Sequence, residues 1–511
     1  MEVEVTVALV AAILAMLIVH LYRHFTQLRR NGIPGPTPWP LVGNLLQMFY
    51  RGVNKTDEEW FQKYGKVYGC YFGYQPQVVT CDPELIKNVL VKDFHNFTDR
   101  PVPKNIPRLL SEGLFFMQGR NWKRVRNLLT PSFSAAKLKQ FLPIIDKCAS
   151  VLATNIGSQI RKEVDVRKIF SHFTMDAIAS TAFGIDIDSQ NQPEDPFVTH
   201  IERLFIPSSF TRIYVVLTSS IPILGDALKY LGFSSSPGKT IDFYQRTGQT
   251  LIDERKKHKM ERVDFIQLLL KAEFDPAKSE YIQNGVDIGP SDLSEDIQQK
   301  EKLTDFEINA TAFVFFLAGF ETTASLLRYS TYVLALHPDI EAKLLREIEE
   351  NIQEESPTYQ NLATLKYMDQ FFNEVLRMYP PITRLSRTCQ TDIRYGDMVI
   401  PRGTSVVVPV WTVHYDPENY PDSEVFDPER FSTEGGKTSG GADGMTFLPW
   451  GVGPRHCIGM RLAQVEAKIA LVHILRKFRF ERTEKTVVPL ELLHVGVLRP
   501  KTPILLRVAA R

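Results

Sequence analysis

The sequence predicts a mainly α-helical fold with small β-sheets, of the α+β class. Apolar residues make up 44% of the chain and charged residues 23%, which is the composition of a packed globular protein. Helical patterning dominates, and the segments with strand character are short. These segments are 67–72 and 77–81 near the start, 399–400 and 405–410 late in the chain, and 504–508 at the end.

The charge balance and the cysteines narrow the class of protein. The 60 Lys and Arg residues nearly cancel the 59 Asp and Glu residues, which argues against nucleic acid as the main partner. The five cysteines are scattered and odd in number, so they predict neither a disulfide framework nor a structural zinc site. The bulk of the chain is therefore expected in a reducing compartment.

Residues 1–22 predict a transmembrane signal anchor. The run 5–22 is apolar except at Thr6 and His20, and it is close to the length of about 20 residues that spans a bilayer. Two glutamates precede the run, and the basic side chains follow it at Arg23, His24, Arg29 and Arg30. Because positive charge stays cytoplasmic, the N-terminus is predicted to be lumenal. A cleaved signal peptide would carry its positive charge before the run.

A basic, proline-rich linker is predicted from residue 23 to residue 44. Four prolines between positions 34 and 40 cannot continue a helix and favour a semi-rigid spacer. No comparable linker follows, and no internal repeat is present. Residues 45–511 are therefore predicted to form one cytosolic catalytic unit.

A glycine-rich loop, FLPWGVGPRHCIG at 447–459, contains Cys457. Gly451 and Gly453 allow the positive φ angles of a tight loop around a sulfur. An amphipathic helix is predicted directly after Cys457, and its dipole would stabilise a thiolate. Such a thiolate is a soft axial ligand for haem iron. For the other four cysteines, inert burial is the expected state.

One long helix is predicted from Asp305 to His337. Thr304 and Glu307 match a capping box at its start, and Pro338 follows its end. The helix would be about 50 Å long, enough to cross a whole domain. Its middle is apolar almost all round, so it should be buried.

Polar residues interrupt this apolar middle at AGFETT, residues 318–323. Gly319 would let a flat ligand approach closely. The hydroxyl of Thr322 is expected to donate to the carbonyl of Ala318, which loosens the turn and admits water. An ordinary buried helix gives no reason for Gly, Glu and two Thr at its centre.

Two further helical motifs place side chains on one face. Glu374 and Arg377, in a helix ended by Pro380, are three residues apart and can pair. Most such pairs are solvated surface contacts. Trp122 and Arg126 are four residues apart, so both can face one ligand.

Together these motifs resemble the cytochrome P-450 superfamily of haem-thiolate monooxygenases. The family signature Phe-x-x-Gly-x-x-x-Cys-x-Gly matches at Trp450, Gly453, Cys457 and Gly459, with Trp450 in place of the usual Phe. The resemblance implies the cytochrome P-450 fold with a long central helix over haem b. It also implies Cys457 as the axial ligand of the iron. The indole of Trp450 adds an N–H donor that could alter the packing and the iron potential.

The resemblance assigns roles to the remaining motifs. Glu321 and Thr322 would be the catalytic acid–alcohol pair that relays protons to dioxygen. Glu374 and Arg377 would form a structural triad with Arg430. The residues implied in haem binding are Cys457, Arg100, Trp122, Arg126, Arg387, Arg455, Ala318 and Gly319, with the arginines on the haem propionates.

Matches at 32–38, 63–67, 131–133, 195–197, 459–461 and 489–492 make the chain most similar to the vertebrate microsomal drug- and steroid-oxidising subfamily, family 3. This similarity implies a monooxygenase of steroids and xenobiotics in the endoplasmic reticulum membrane. An apolar wall would orient these lipophilic substrates mainly by shape. The implied substrate contacts are Phe115, Phe116, Val314, Leu317, Ile382 and Thr383, together with Ala318.

Electrons must come from another protein, because the chain has no room for a flavin or nicotinamide domain and no Rossmann motif. The implied donors are NADPH–cytochrome P-450 reductase and cytochrome b5, so NADPH acts only indirectly. Candidate docking cations are Lys123, Arg124, Lys137 and Lys139. The apolar segment 204–233 is expected to dip into the lipid bilayer.

Two alternatives remain open from the sequence. A haem-thiolate isomerase of a lipid endoperoxide, as in the thromboxane synthase branch, would need no reductase. That branch departs from the family at the acid–alcohol pair, which is intact here as Glu321 and Thr322. A non-catalytic haem sensor or transport protein is the other alternative.

Overall fold

The computed structural model of the protein describes residues 2–103, 106–205, 209–234, 236–258, 262–272, 302–432, 444–493 and 497–511. Helices dominate these residues, and the β-sheets have two to four strands. This architecture confirms the predicted fold class.

The helices of the described residues are α1 (Glu2–Phe25), α2 (Gln27–Arg30), α3 (Leu45–Arg51), α4 (Val53–Tyr64), α5 (Pro83–Lys87), α6 (Arg108–Ser111), α7 (Gly119–Leu129), α8 (Ala135–Gly157), α9 (Val166–Ile178), α10 (Pro196–Phe205), α11 (Ser209–Ser220), α12 (Pro222–Tyr230), α13 (Gly238–His258), α14 (Phe265–Lys271), α15 (Asp305–Leu336), α16 (Pro338–Asn351), α17 (Tyr359–Leu362), α18 (Lys366–Met378), α19 (Val410–Tyr415) and α20 (Met460–Leu475). The strands are β1 (Val67–Phe72), β2 (Gln75–Thr80), β3 (Glu163–Asp165), β4 (Leu385–Thr388), β5 (Ile393–Tyr395), β6 (Met398–Ile400), β7 (Ser405–Val408), β8 (Phe478–Arg482), β9 (Leu492–Leu493), β10 (Arg499–Pro500) and β11 (Leu505–Ala510).

The five predicted strands correspond to β1, β2, β6, β7 and β11, with bounds that differ by up to two residues. The strand predicted to end at residue 410 ends at Val408 instead. Pro409 lacks an amide to continue the ladder, and α19 begins at Val410. The strands that were not expected from the sequence are short or pair with segments remote in sequence, as β4 does with β7.

The chain folds into two compact units. The first unit comprises residues 1–105, 207–235 and 384–412. Its four-stranded sheet has the order β1-β2-β7-β4, with β2 and β7 parallel and the other pairs antiparallel. Trp60, Tyr68 and Val407 pack in its core. The unit contains the predicted anchor and linker, whose boundaries at residues 22 and 44 remain predictions.

Helix α1 is long and apolar enough to cross a membrane, and its side chains are exposed over its length up to its last turns. Helix α15 passes the same test of length and composition, but it is largely buried inside the second unit. A core helix of a globular domain is expected to be buried in this way, whereas an exposed apolar helix needs another environment. Of the two, α1 is therefore the candidate membrane span.

The second unit comprises residues 106–206, 236–383 and 413–511, and α15 is its central helix. Helices α9 and α13 pack along α15, together with shorter elements. Close approach is visible at Gly248 of α13, where an added Cβ would lie 2.1 Å from Oδ1 of Asn309. A three-stranded antiparallel sheet of order β3-β11-β8 completes the unit, with the β9-β10 pair.

The start of α15 is fixed by a complete capping box. The Thr304 hydroxyl accepts from the Glu307 amide at 3.2 Å, and the Glu307 carboxylate accepts from the Thr304 amide at 2.8 Å. Two backbone donors that the helix itself cannot satisfy are thereby bonded. The helix therefore begins where the sequence predicts, and it ends at Leu336, one residue before the predicted end.

Replacing Thr304 by Ala should lower the free energy of unfolding by about 1 kcal/mol, because the cap loses its acceptor. Chemical unfolding followed by circular dichroism measures this loss. Thr304→Ser keeps the hydroxyl and is the control, expected to unfold close to the parent protein. Equal stability of the Ala variant and the parent would contradict the role assigned to the cap.

Candidate active site

Cys457 lies exposed at the end of a tight loop, just before α20 begins at Met460. Gly451 and Gly453 adopt φ angles of +66° and +73°, which side chains with a Cβ rarely tolerate. The Cys457 amide donates to the carbonyl of Trp450 at 2.8 Å and closes the loop. The sulfur is thus accessible near the positive end of a helix dipole, which stabilises a thiolate.

A buried histidine, His414, supports the start of this loop. Its Nδ1 bonds with the carbonyl of Arg377 at 3.0 Å, and its Nε2 accepts from the amide of Leu448 at 2.9 Å. Burial lowers the pKa of His414 to about 3, so the ring is neutral, with the proton on Nδ1. The sequence alone does not predict this role for His414. Its only signal there is a histidine in the otherwise apolar stretch that precedes Tyr415.

Glu374 and Arg377 form the buried ion pair that their spacing predicts. Nε and Nη2 of Arg377 donate to the carboxylate at 2.7 and 2.8 Å, and both side chains are fully buried. Nε of Arg430 lies 3.5 Å from the same carboxylate, so the three residues of the expected triad are together. Arg377 also donates to the carbonyl of His414 at 3.0 Å. The triad is therefore connected through His414 to the loop of Cys457.

Helix α7 places Trp122 and Arg126 on one face, as predicted, and Arg455 from the Cys457 loop joins them. The guanidinium of Arg455 lies 4.1 Å from the centre of the Trp122 ring. It donates to the carbonyls of Met117 at 2.7 Å and Phe115 at 3.4 Å. Cation–π stacking and these bonds fix Arg455 between the loop and α7.

Arg126 is a buried cation with no carboxylate partner among the described residues. Burial lowers its pKa to about 10, and the nearby Cys457 thiolate opposes this effect. Burying a charge without a counter-ion is costly. A bound anionic group beside Cys457, such as the propionate of a haem, would satisfy Arg126. The residues present therefore fit a haem with Cys457 as iron ligand.

The middle of α15 has one open face within an otherwise buried helix. Ala318 is exposed, and Leu317, Gly319 and Thr322 are partly exposed, while the turns before and after them are buried. The Thr322 hydroxyl donates to the Ala318 carbonyl at 2.6 Å, as expected. Open space against the centre of a core helix is what a bound cofactor or substrate requires.

Gly319 also allows two helices to pack closely. An added Cβ at this position would lie 2.6 Å from Cδ1 of Ile178, at the end of α9. The missing side chain therefore lets α9 pack closely against α15. This packing is a second reason for a glycine at position 319, while the close approach of a flat ligand there and its place in haem binding stay predictions.

The two members of the predicted acid–alcohol pair have different surroundings. Thr322 lies on the open face, whereas Glu321 is fully buried and its Oε1 is 3.3 Å from Nη1 of Arg328. Glu321 is thus held as the partner of a buried cation. Arg328 is not among the predicted site residues, although its spacing of seven residues from Glu321 places it two turns along the same side of α15.

The candidate substrate residues are partly connected by contacts. The rings of Phe115 and Phe116 pack edge to face with centroids 4.8 Å apart. An added Cβ at Gly113 would lie 2.2 Å from Cγ2 of Val314, so the loop of these rings lies against α15. Val314 is on the turn before Leu317 and Ala318. A path of contacts thus leads from Cys457 through α7 and this loop to the open face.

Ile382 and Thr383 are the remaining candidate substrate contacts. Ile382 forms an isolated β-bridge with Val497. Thr383 is only 7% exposed. Their role in substrate binding remains a prediction.

Arg100 and Arg387 belong to the first unit. Arg387 is buried in β4, where its Nη1 donates to the carbonyl of Ser386 at 2.8 Å. The amide of Thr388 donates to the carbonyl of Asp99 at 2.7 Å, so the segments of the two arginines are adjacent. Their predicted contact with the haem propionates remains a prediction.

Arg124 is not a docking cation, which corrects the prediction. Only 1% of the residue is exposed, and it forms an ion pair with Glu307 in the first turn of α15. Charge alone on an amphipathic helix does not reveal such a partner, which lies 183 residues away in sequence.

Replacing Arg377 by Met should lower the free energy of unfolding by about 3–5 kcal/mol, because Glu374 is left as a buried charge without its main partner. Lys343→Met is the matched control. Its ion pair with Glu429 is half-exposed, and the expected loss is at most about 1 kcal/mol. Chemical unfolding measures both, and equal losses would contradict the structural role of Arg377.

Comparison with known proteins places this geometry in a family. Residues 33–508 match the family model for cytochrome P450. The chain is 36% identical to cytochrome P450 3A41 of Mus musculus, 3A2 of Rattus norvegicus and 3A5 of Homo sapiens, each over 98% of this chain and 96% of the relative. These findings confirm the resemblance that the motifs indicate. The chain belongs to the cytochrome P450 family of haem b-binding monooxygenases.

Proposed function

We propose that this chain is a membrane-anchored monooxygenase that inserts one oxygen atom from O2 into small lipophilic substrates, with electrons from an NADPH-dependent reductase. The observation that carries the proposal is the path of contacts between the accessible Cys457 and the open face of α15 at Ala318 and Thr322. Steroids and xenobiotics are the proposed substrate class, because the candidate contacts are mainly apolar.

Each part of the site has a separate task in this proposal. Cys457 binds the haem iron as a thiolate, and the buried Arg126 binds a haem propionate. Haem b, when bound, supplies the one-electron and dioxygen chemistry that side chains lack. Thr322 offers its hydroxyl oxygen as a proton acceptor and donor on the open face, next to the acid Glu321.

Apolar side chains around this open face are proposed to form the walls of the substrate site. The rings of Phe115 and Phe116 and the side chains of Val314 and Leu317 are the proposed walls. An apolar wall discriminates between substrates by only a few kcal/mol for each group, so shape decides the orientation. This is the arrangement expected of an enzyme that accepts several lipophilic molecules.

Apolar surface in the first unit supports the proposed membrane attachment. Besides α1, helices α11 and α12 expose Phe210 by 54%, Ile213 by 60% and Ile223 by 81%. Exposed apolar side chains in this number indicate contact with lipid or with a partner. The proposed location is the endoplasmic reticulum membrane, with α1 as a single span, the N-terminus lumenal and residues 45–511 cytosolic. Residues 206–208 of the expected membrane-dipping segment lie outside the described residues.

The proposed electron donors are NADPH–cytochrome P-450 reductase and cytochrome b5. Lys139 is exposed and Lys123 and Lys137 are partly exposed, which leaves these three as candidate docking cations. Their charge would attract an acidic surface of a donor protein.

The reduced, CO-bound protein should show the strongly red-shifted Soret band of a thiolate-ligated haem, and Cys457→Ala should abolish that shift. The sulfur ligand is the physical cause of the shift, so replacing any other cysteine should leave the position of the Soret band unchanged. Cys148→Ala is the control and should keep the band. A Cys457→Ala protein that keeps the shift would contradict the assignment of the iron ligand.

Replacing Thr322 by Ala should lower the product formed per NADPH by about tenfold or more, while NADPH oxidation continues, because a proton carrier at the open face is lost. Thr331→Ala is the matched control. Its hydroxyl also bonds four residues back, to the Leu327 carbonyl at 3.1 Å, but it is buried. Turnover of Thr322→Ala without loss, and without any reductase, would instead favour the isomerase alternative.

A further inference from the structure

A threonine of α9 donates a hydrogen bond to the backbone of α15 at the level of the open face. Thr174 is fully buried, and its hydroxyl oxygen lies 2.9 Å from the carbonyl oxygen of Phe320. A threonine inside a helix usually bonds only to a carbonyl of its own helix, three or four residues back. For Thr174 those carbonyls, of Phe170 and Ser171, lie at 3.0 and 3.2 Å. The contact to α15 is thus the shortest of the three.

A second contact, one turn further along α9, reaches the same turn of α15. Ile178 is four residues after Thr174, so the two side chains share a face of α9. An added Cβ at Gly319 would lie 2.6 Å from Cδ1 of Ile178, so the helices approach closely beside Phe320. A glycine also weakens a helix at its own position. The contacts with α9 therefore have a large share in the local geometry of α15.

Two hydroxyl groups act on this turn from nearly opposite sides. Successive residues turn by about 100° around a helix axis, so Ala318 and Phe320 lie almost opposite each other on α15. On the open face, the Ala318 carbonyl accepts from the Thr322 hydroxyl at 2.6 Å. On the covered side, the Phe320 carbonyl accepts from Thr174. A hydroxyl donor on a helical carbonyl competes with the amide of the helix and bends it.

We propose that Thr174 is a positioning residue, whose bond to the Phe320 carbonyl fixes the bend of α15 and thereby the place of the Thr322 hydroxyl on the open face. The inference rests on the monooxygenase function proposed above. Because Thr174 is buried on the covered side, its effect passes through the backbone of residues 318–322. Loss of its hydroxyl should therefore matter only while Thr322 has a hydroxyl to place.

The first test is the infrared C–O stretch of carbon monoxide bound to the reduced haem protein, because its frequency responds to polar groups beside the bound gas. Thr322→Ala shows how far the band moves when that hydroxyl is lost. Thr174→Val keeps the shape of the side chain without the hydroxyl, and it should shift or split the band. Thr174→Ser keeps the hydroxyl and should restore the band of the parent protein. An unchanged band in Thr174→Val would overturn the proposal.

The second test is a double-mutant cycle on the product formed per NADPH. Thr174→Val alone should lower this yield about threefold to tenfold, because a misplaced reacting group slows its step. Added to Thr322→Ala, it should cause no further loss, since two residues that act as a unit are not additive. Losses that multiply in the double variant would overturn the proposal, because Thr174 would then act independently of Thr322.

Thr331→Val is the matched control. Thr331 is also a buried threonine, but its hydroxyl bonds within α15 itself, to the carbonyls of Leu327 and Arg328 at 3.1 and 3.0 Å. This variant should keep both the infrared band and the yield of the parent protein.

If Thr174→Val does not fold, Thr174→Ala must show the same band shift and the same lack of additivity, or the proposal is wrong. The infrared test needs no turnover, so its failure is distinguishable from failure of the proposed reaction.

Discussion

Burial of one long helix is the constraint on which the second unit depends. Helix α15 has 32 residues, and its described neighbours cover it everywhere except at its ends and at one central face. Such a helix must be apolar almost all round, and each polar side chain on it needs a partner. The capping box at Thr304 and the ion pair of Glu307 with Arg124 meet this need at its start. The open face at Ala318 is therefore a local exception.

Two buried arginines of the second unit differ in whether the protein itself supplies an anion to pair with them. Arg377 is matched by the carboxylate of Glu374 and by the carbonyl of His414, so the protein itself supplies the partners of its charge. Arg126 is nearly as deeply buried but has no carboxylate among the described residues. A buried cation is retained against its desolvation only where an anion meets it. That contrast, more than the loop sequence, indicates an anionic cofactor beside Cys457.

Local signals in the sequence predict where several helices, strands and turns of this molecule begin or end. The capping box, Pro409 and the loop glycines act on neighbouring residues, so the start of α15, the end of β7 and the turn before Cys457 are foreseeable. Strands β4 and β8, the support of the loop by His414 and the partner of Arg124 depend on segments remote in sequence. Gly319 shows the same limit, because only the packed structure reveals that its missing Cβ faces Ile178.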